Sequence, residues 1–489
     1  MAETALTLAT ETLQRATQTL ARLTTPQPTA APLETDDIQG LVFRGYGTLK
    51  FCCYPLLKVT DKVRARAWLR SQVDVIARGK PAARESALQI AFTHAGFAAL
   101  GLPANALEGF SREFIVGMTG PYRSRFLGDE NESAPSNWQW GGPNGAAVHA
   151  ALMLFADSAA HLSDRLAELR QSWAGAFEEV RVLETAELSD HEHFGFADGI
   201  SQPALDGFHE HASEVHRVKP GEFVLGYPNE YGLYTERPLL EPEQDRQRKL
   251  PVDVETSSRP DFGRNGTYLV FRQLRQDVPA FRKTLAALSG NPDGTPNPKL
   301  QQRLAAQMVG RWPSGASLIE SPDYDDAARA KQNDFRYHAE DIDGLKCPIG
   351  AHVRRANPRD ALDPDPGSDS SLAVNHRHRL IRRGRSYGAP LPNGVDDDTD
   401  RGLVFVIVNG NISRQFEFVQ HSWLMDPRFN GLTRQADPIV GTSDNQFSAA
   451  ANPVRVRCTG LPRFVTVTGG AYFFMPGIRA LRFLAEFVP

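Results

Sequence analysis

The sequence predicts an α+β fold in which helices cover one face of a sheet. Its 489 residues, 41% of them hydrophobic, are enough for two domains with substantial cores. Segments with the pattern of strands alternate with helical segments in the first half of the chain, and this order begins again after residue 207. No clear sequence repeat relates the two halves, so their similarity lies in the order of their elements.

The first half begins with a glycine-interrupted strand pattern at residues 38–59. A helix is predicted at 60–76, because a Thr-Asp pair at its start provides a capping signal. A second unit follows, in which a helix lies between two extended segments. Its three parts are 146–156, 157–170 and 180–188.

The second half repeats this order of elements. An Asn-Gly turn introduces a strand at 265–278, and a helix is predicted directly after it at 279–288. Two further segments are rich in β-branched and aromatic residues, at 401–410 and 463–474, which is typical of strands. A helical pattern at 478–487 closes the chain.

The N-terminus has a different character. Leu6, Leu13, Leu20 and Leu23 follow a helical spacing, and the Pro/Thr/Ala-rich stretch at 24–37 is typical of a linker. The sequence therefore predicts three regions. They are an N-terminal helix and linker at 1–37, a first domain at 38–220 and a second domain at 221–489.

Composition disfavours several classes of partner. Lysine plus arginine (54) nearly balances aspartate plus glutamate (58), so neither nucleic acid nor a membrane surface is expected to bind. The four cysteines have no metal-binding spacing, which favours buried thiols in a reducing compartment. No signal peptide pattern and no apolar run of about 18 residues is present, so a cytoplasmic location is predicted.

One histidine has the setting of a single axial metal ligand. His352 follows a small-residue turn in "CPIGAHVRRANPRD" and has no second histidine three or four residues away. This is a poor zinc site, but one neutral imidazole is sufficient for a porphyrin iron. The arginines that follow it offer partners for carboxylates such as haem propionates. The alternative is a structural histidine beside a solvated basic turn.

Two further segments contain candidate catalytic groups. Asp198 lies in "GFADGISQP", where Phe196, Ala197 and Ile200 would desolvate a carboxylate that must take and return a proton. An Asp-Gly pair is also common in ordinary turns. The adjacent Arg382 and Arg383 lie in "LIRRGRSYG", between an apolar pair and a glycine, where one of them could face inward.

In this order, the three segments resemble the dye-decolorizing peroxidase family, specifically its longer, cytoplasmic branch. "GFADG" resembles the family's GxxDG signature, and the other two resemble its haem-ligand and distal-arginine segments. The resemblance extends to "IQGLVFRGYG", "NGTYLVFRQL", the long stretch from "RGLVFVIVNG" to "DPRFNGL", and "VTVTGGAYFFMPG". It covers roughly residues 38–488 and leaves the N-terminal helix outside.

The resemblance implies a role for each matching residue. His352 is implied as the proximal iron ligand, Asp198 as the distal acid and Arg382 as the distal arginine, with Arg383 left open as the alternative. Four more residues are assigned in the same way: Arg359 to a haem propionate, Leu403 and Phe405 to the apolar lining on the peroxide side, and Glu417 as the acid that hydrogen-bonds the far nitrogen of His352. The "FEF" pattern around Glu417 is equally typical of a strand.

The resemblance also implies a fold and an activity. The fold is a pair of ferredoxin-like domains of the dimeric α+β barrel type, with antiparallel sheets, the GxxDG loop in the first domain, and haem b (iron protoporphyrin IX) in the C-terminal half. The activity is a haem-dependent peroxidase that reduces hydrogen peroxide to water through a ferryl intermediate and oxidises organic donors such as dyes and phenols. A homo-oligomer is compatible with it.

Three points stay open in the sequence. A polar insertion at 361–380 departs from the family pattern and is expected to reshape the rim of the pocket. Tyr387 and Trp423 are candidates for passing electrons from bulky donors. The rival functions are a haem-handling protein without turnover, which needs His352 alone, and a metal-free binding module whose site is formed by the loops 236–264 and 359–380.

Overall fold

A computed structural model shows one antiparallel sheet of nine strands, to which both halves of the chain contribute. It describes residues 32–487, except 210, 257, 292, 393, 443 and 452. The predicted N-terminal helix therefore lies outside the described residues. From Leu33 onward the chain forms one compact unit, and the domain boundary at residues 220 and 221 stays a prediction.

Thirteen strands are described. In chain order they are β1 (Phe51–Val59), β2 (Ser86–Phe92), β3 (Ala150–Ala156), β4 (Phe177–Glu184), β5 (Ala204–Leu205), β6 (Arg217–Val218), β7 (Thr267–Gln276), β8 (Ile381–Arg382), β9 (Arg385–Tyr387), β10 (Gly402–Asn409), β11 (Asn445–Ala449), β12 (Val456–Leu461) and β13 (Val465–Met475). Two pairs, β5 with β6 and β11 with β12, stand apart, and the other nine strands form the sheet.

The two halves of the sheet have the same strand order. Along its length the order is β4-β1-β3-β2-β13-β7-β10-β8, and β9 also pairs with β10. In the first half, the strands β4, β1, β3 and β2 lie side by side in that order. In the second half the corresponding order is β13, β7, β10 and β8. Each half therefore places its fourth, first, third and second strands next to one another when β9 is left out, which is the strand order of a ferredoxin-like fold. The halves meet where β2 pairs with β13. The predicted α+β class is confirmed.

The described α-helices flank these strands. They are Lys62–Gln72, His94–Leu100, Ala104–Glu108, Arg112–Val116, Pro121–Leu127, Ala159–Ser172, Val278–Leu288, Pro298–Val309, Tyr337–Asp341, His352–Ala356, Asp369–His376 and Ile478–Glu486. Two π-helical segments follow β10, at Ser413–Glu417 and Val419–Met425. No described helix is long and apolar enough to cross a membrane.

Local signals explain where the helices begin. The Asp61 side chain accepts hydrogen bonds from the backbone N–H groups of Val63 and Arg64, so the predicted helix starts at the expected cap. Asp277 caps the helix after β7 in the same way. The side chains of the N-cap supply acceptors for backbone donors that have no partner inside the helix.

Two predictions of secondary structure are wrong. The strand expected at 38–59 begins only at Phe51, because the preceding residues form a 3₁₀ turn at Gly40–Val42 and Tyr46 takes a positive φ of 53°. The polar stretch at 359–380 is not simply a loop. It contains the helix Asp369–His376, which the Ser368 hydroxyl caps.

Both faces of the sheet are buried, each under a different cover. One face packs against helices, including Trp68 and Leu69 of Lys62–Gln72 and Leu481 of the last helix. The opposite face is covered mainly by connecting segments, which contribute Leu41 and Phe223 among others. The placement of helices over one face agrees with the sequence prediction, and the all-apolar strand β3 is explained by burial on both sides.

Candidate active site

A cavity of about 300 Å³ lies against the C-terminal half of the sheet. Alternate residues of three neighbouring strands line it, because successive side chains of a strand point to opposite faces. These are Arg272, Leu274 and Gln276 of β7, Leu403 and Phe405 of β10, and Val465 and Val467 of β13. The register places Leu274 opposite both Leu403 and Val467. Leu403 and Phe405 therefore line the cavity, and their place on the peroxide side stays a prediction.

His352 faces this cavity from the start of a short helix. A turn closed by the Ala351 N–H and the Pro348 carbonyl precedes it, and the helix His352–Ala356 begins at His352 itself. The imidazole Nδ1 lies 2.8 Å from Oδ2 of Asp437. The other nitrogen, Nε2, has no hydrogen-bond partner among the described residues, and the side chain is 32% exposed. An imidazole held at one nitrogen presents the other as a metal ligand.

The surroundings of Asp437 favour its ionised form. Its side chain is fully buried, and Oδ1 accepts hydrogen bonds from the N–H groups of Ile439 and Val440 at 2.8 and 2.9 Å. Burial by itself raises the pKa of this carboxyl. The charge and hydrogen bond of His352 and the charge of Arg355 outweigh burial, so the pKa of Asp437 lies below its ordinary value. A carboxylate at this position makes the imidazole a stronger donor to a metal.

The predicted partner of His352 was Glu417, and that prediction is wrong. Glu417 accepts a hydrogen bond from the Tyr472 hydroxyl at 2.7 Å and pairs with Arg123. Its "FEF" segment is not a strand, because residues 413–417 form a π-helical turn. Asp437 lies in "QADPIV", a stretch with no distinctive spacing from His352, so the sequence offered no signal for it.

Asp198 and Arg382 meet at the cavity from segments remote in the chain. Arg382 Nη2 lies 3.4 Å from Asp198 Oδ1, and the same oxygen accepts a hydrogen bond from the Gly199 N–H at 2.6 Å. The Asp198 side chain is 59% exposed and faces the cavity, so the expected burial against its apolar neighbours does not occur. Arg383 points elsewhere and donates to the carbonyls of Leu41 and Val42, which favours Arg382 as the cavity arginine.

Glu192 shapes the loop that carries Asp198, and sequence reasoning missed it. Its carboxylate accepts hydrogen bonds from the N–H groups of Phe194 and Phe196, each at 2.9 Å, and from Gln276 Nε2 at 2.7 Å. Burial, with a smaller contribution from the charge of Asp198, raises the pKa of Glu192. The loop also needs positive φ angles at its two glycines, 96° and 80°, which suit residues without a side chain.

A cluster of arginines makes one side of the cavity strongly positive. Arg311 and Arg379 line it, and no described carboxylate forms an ion pair with either of them. Arg379 is buried, and its hydrogen bonds, to the carbonyls of Val215 and Ser201, are 3.5 Å long. Burial, with the charges of Arg359 and Arg382, lowers the pKa of Arg379 to about 9. Such uncompensated charge favours an anionic ligand.

Arg359, which was predicted to meet a propionate, lies outside the cavity lining. Its guanidinium donates to the carbonyls of Asn333 and Phe335 and to Asn333 Oδ1, and it lies over the Phe335 ring at 3.8 Å. Its role as a propionate partner stays a prediction, whereas Arg379 and Arg311 were missed. The signal for Arg379 was present in "HRHRLIRRGR", but nothing in that run distinguishes one arginine from the next.

The rival sites receive no support from this arrangement. The loop at 236–264 contributes no residue to the cavity lining, and the segment 359–380 contributes Arg379 and Leu380. Tyr387 and Trp423 are both buried, so neither is a surface residue that could meet a bulky donor. Among the described residues, no group of three or more His, Cys, Asp or Glu side chains is placed to hold a metal ion.

The residues of the cavity fit a haem. The walls are largely apolar, one imidazole nitrogen is free to bind iron, and guanidinium groups without carboxylate partners face the same space. An apolar macrocycle with acidic arms satisfies all three features, because it buries apolar surface and offsets the buried positive charge.

Comparison with known proteins points to the same class. No family model matches the chain. The dye-decolorizing peroxidase of Mycena epipterygia is 31% identical over 441 residues, which span 82% of this chain and 76% of that protein. Dye-decolorizing peroxidase msp1 of Mycetinis scorodonius is 29% identical over 491 residues, 93% of this chain and 88% of the relative.

Solved structures agree. The fungal DyP-type peroxidase from Auricularia auricula-judae superposes with a TM-score of 0.76 and 26% identity, over 94% of this chain and all of that chain. A dye-decolorizing peroxidase in complex with 2,6-dimethoxyphenol gives a TM-score of 0.75 at 26% identity, over 93% of this chain. Fold and site together define a haem-dependent peroxidase. Within that class, the chain belongs to the dye-decolorizing peroxidase family.

Replacing Asp437 by Asn is expected to weaken haem binding or activity by about 10- to 100-fold, the usual effect of losing the partner of a metal-bound histidine. The amide keeps the shape of the carboxylate but removes its charge from His352. Measurement of haem transfer to an excess of a haem-scavenging protein tests this. Asp157→Asn is the matched control, because Asp157 pairs with His161 at 3.0 Å on the surface. Unchanged haem release and activity in Asp437→Asn would refute the role.

Proposed function

We propose that this chain reduces hydrogen peroxide to water and takes the electrons from phenols, dyes and other organic donors, with haem b as its cofactor. The observation that carries the proposal is the meeting of three groups in one apolar cavity: the free nitrogen of His352 and the Asp198–Arg382 pair. A protein that only stored or transferred haem would need the imidazole but would have no use for the acid and the guanidinium.

His352 would hold the iron, and Arg379 and Arg311 would face the acidic arms of the haem. The haem supplies an iron that binds peroxide and takes up two oxidising equivalents when the O–O bond breaks. Asp437 would keep the imidazole oriented through its 2.8 Å hydrogen bond. Leu403 and Phe405 would keep large molecules away from the peroxide, since both line the cavity.

Asp198 would move the proton that the reaction requires. Peroxide must lose a proton from one oxygen and gain it on the other, so that the second oxygen leaves as water. A carboxylate that faces the cavity can accept this proton and return it, directly or through one water. Arg382 would stabilise the negative charge that develops on the departing oxygen, and a donor of this kind contributes about 3 kcal/mol in the transition state.

Location, donors and partners complete the proposal. All four cysteines are unpaired and buried, which supports a reducing, cytoplasmic location. Phenols are proposed as donors because a related peroxidase was solved with 2,6-dimethoxyphenol. The homo-oligomer and the lack of nucleic-acid and membrane partners stay predictions from the sequence.

A visible spectrum recorded with and without one equivalent of peroxide tests the function. The purified protein, supplemented with haem where needed, is expected to show a Soret band that changes on mixing with peroxide and returns when a phenol is added. A protein that binds haem but shows no spectral change with peroxide would instead be a haem carrier. The absence of a Soret band after supplementation would refute haem binding itself.

A further inference from the structure

One buried tyrosine donates a hydrogen bond to a carboxylate that can accept its proton. The Tyr472 hydroxyl on β13 donates a hydrogen bond to Glu417 Oε1 at 2.7 Å, and both side chains are almost completely buried. The second oxygen of Glu417 accepts a hydrogen bond from Arg123, and Glu113 lies 3.9 Å from that guanidinium. The positive charge of Arg123 favours the ionised form of Glu417, so the phenol donates to a carboxylate.

This pair lies one aromatic ring away from the cavity. Phe416 lines the cavity, and its ring centroid is 6.4 Å from that of Tyr472, with the planes at 74°. The ring centroid of Phe405, which also lines the cavity, is 6.5 Å from that of Phe416. Short aromatic steps therefore connect Tyr472 to the space in which peroxide would be reduced, although Tyr472 does not itself line it.

The surroundings oppose a charged tyrosine in any form. Burial, followed by the nearby carboxylate of Glu417, raises the pKa of Tyr472 well above its ordinary value, so the phenolate is not formed. Loss of an electron alone would leave a positive charge on a buried ring, which is costly unless a proton leaves at the same time. Burial also raises the pKa of Glu417, which makes its carboxylate a better proton acceptor than an exposed one.

We infer that Tyr472 is a redox-active tyrosine, which gives one electron to the oxidant that peroxide leaves in the cavity while its phenolic proton passes to Glu417 Oε1. The O–H bond of Tyr472 breaks and an O–H bond forms on Glu417. The products are a neutral tyrosyl radical, a neutral glutamic acid and an oxidant reduced by one electron. An organic donor does not meet Tyr472 itself: its electron reaches the radical through the cavity and the same aromatic rings, and Glu417 returns the proton. This inference rests on the proposed function, because peroxide reduction supplies the oxidant.

Other described tyrosines lack this combination. The hydroxyl of Tyr268, also buried in the sheet, accepts from the Ser111 N–H and has no carboxylate partner among the described residues. Tyr387 does donate to a carboxylate, Asp400 at 3.1 Å, but that acid is exposed to solvent. Tyr268→Phe is therefore the matched control, and Tyr387→Phe tests the competing site.

Electron paramagnetic resonance of the haem-loaded protein, frozen after mixing with peroxide in the absence of a donor, tests the inference. A tyrosyl signal is expected in the wild type and in Tyr268→Phe, and its loss or a several-fold decrease is expected in Tyr472→Phe. Glu417→Gln is expected to lose the signal as well, although Tyr472 is still present, because an amide cannot take the proton. A signal that survives in both variants, or that disappears in Tyr387→Phe instead, would overturn the inference.

A second measurement needs no variant and so does not depend on the folding of any substitution. Proton ENDOR of the radical in the wild type should show an exchangeable hydrogen bond to the phenoxyl oxygen, from the proton that Glu417 Oε1 has taken up, and this coupling should be lost in D₂O. A tyrosyl radical without such a hydrogen bond would contradict the inference. If the wild type oxidises a phenol with peroxide but forms no tyrosyl radical, the inference fails and the proposed function stands. If peroxide is not consumed at all, both fail.

Discussion

Replacing Asp198 by Asn is expected to slow the reaction with peroxide by about 10²- to 10⁴-fold, the range that a positioned acid or base contributes. The amide keeps the size of the side chain and can still accept the hydrogen bond from the Gly199 N–H. It cannot take up a proton from one peroxide oxygen and deliver it to the other. Stopped-flow measurement of the first spectral change after mixing with peroxide gives this rate directly.

The chain provides a closely matched control for this variant. Asp206 also precedes a glycine of positive φ, and its Oδ1 accepts a hydrogen bond from the Gly207 N–H at 3.1 Å. It does not line the cavity, so Asp206→Asn should leave the rate unchanged. Equal rates for Asp198→Asn and the wild type would rule out Asp198 as the acid and would leave the haem-handling alternative as the better explanation.

Replacing His352 by Ala is expected to abolish haem binding and, with it, all peroxidase activity. Among the described residues that line the cavity, His352 is the one histidine, and its Nε2 has no hydrogen-bond partner there. The variant therefore has no other imidazole in the cavity to bind iron. The effect of added haem on the stability of the protein shows the loss of haem binding more directly than turnover does. Added haem should stabilise the wild type by about 4 kcal/mol when free haem exceeds its Kd by about a thousand-fold, and the melting temperature of the variant should not respond.

His161→Ala is the control for this experiment. His161 also hydrogen-bonds an aspartate side chain, that of Asp157, and it does not line the cavity. Its replacement should leave both the Soret band and the haem-dependent stabilisation intact. A His352→Ala protein that still binds haem with unchanged affinity would show that another residue ligates the iron.

Much of the fold could be predicted because the signals for it are local. The strand predicted at 401–410 is found at Gly402–Asn409, and the one predicted at 463–474 is found at Val465–Met475. Runs of β-branched and aromatic residues favour strands whatever lies around them. The prediction at 38–59 failed because its apolar residues pack in turns beneath the sheet, and burial alone does not distinguish a strand from a buried turn.

The residues of the candidate site also fall into two groups, those with a local signal in the sequence and those without one. His352, Asp198 and Arg382 could be named from short segments that resemble a family, and the structure brings all three to one cavity. Glu417 was placed wrongly and Asp437 was missed, since 85 residues separate His352 from its real partner and no spacing rule connects them. Glu192 and Arg379 were missed because their importance depends on which backbone and charged groups face them.

The amino-acid order was therefore sufficient to predict the class of fold, several of its principal strands and helices, and the three segments whose side chains meet at the cavity. Folding of the whole chain was needed to establish which carboxylate supports the histidine, which arginine of a pair turns inward and which tyrosine has a proton acceptor. The physical reason is the range of the forces. Backbone propensity and hydrophobic periodicity act between neighbours in the chain, whereas hydrogen bonds, burial and charge act between groups that only packing brings together.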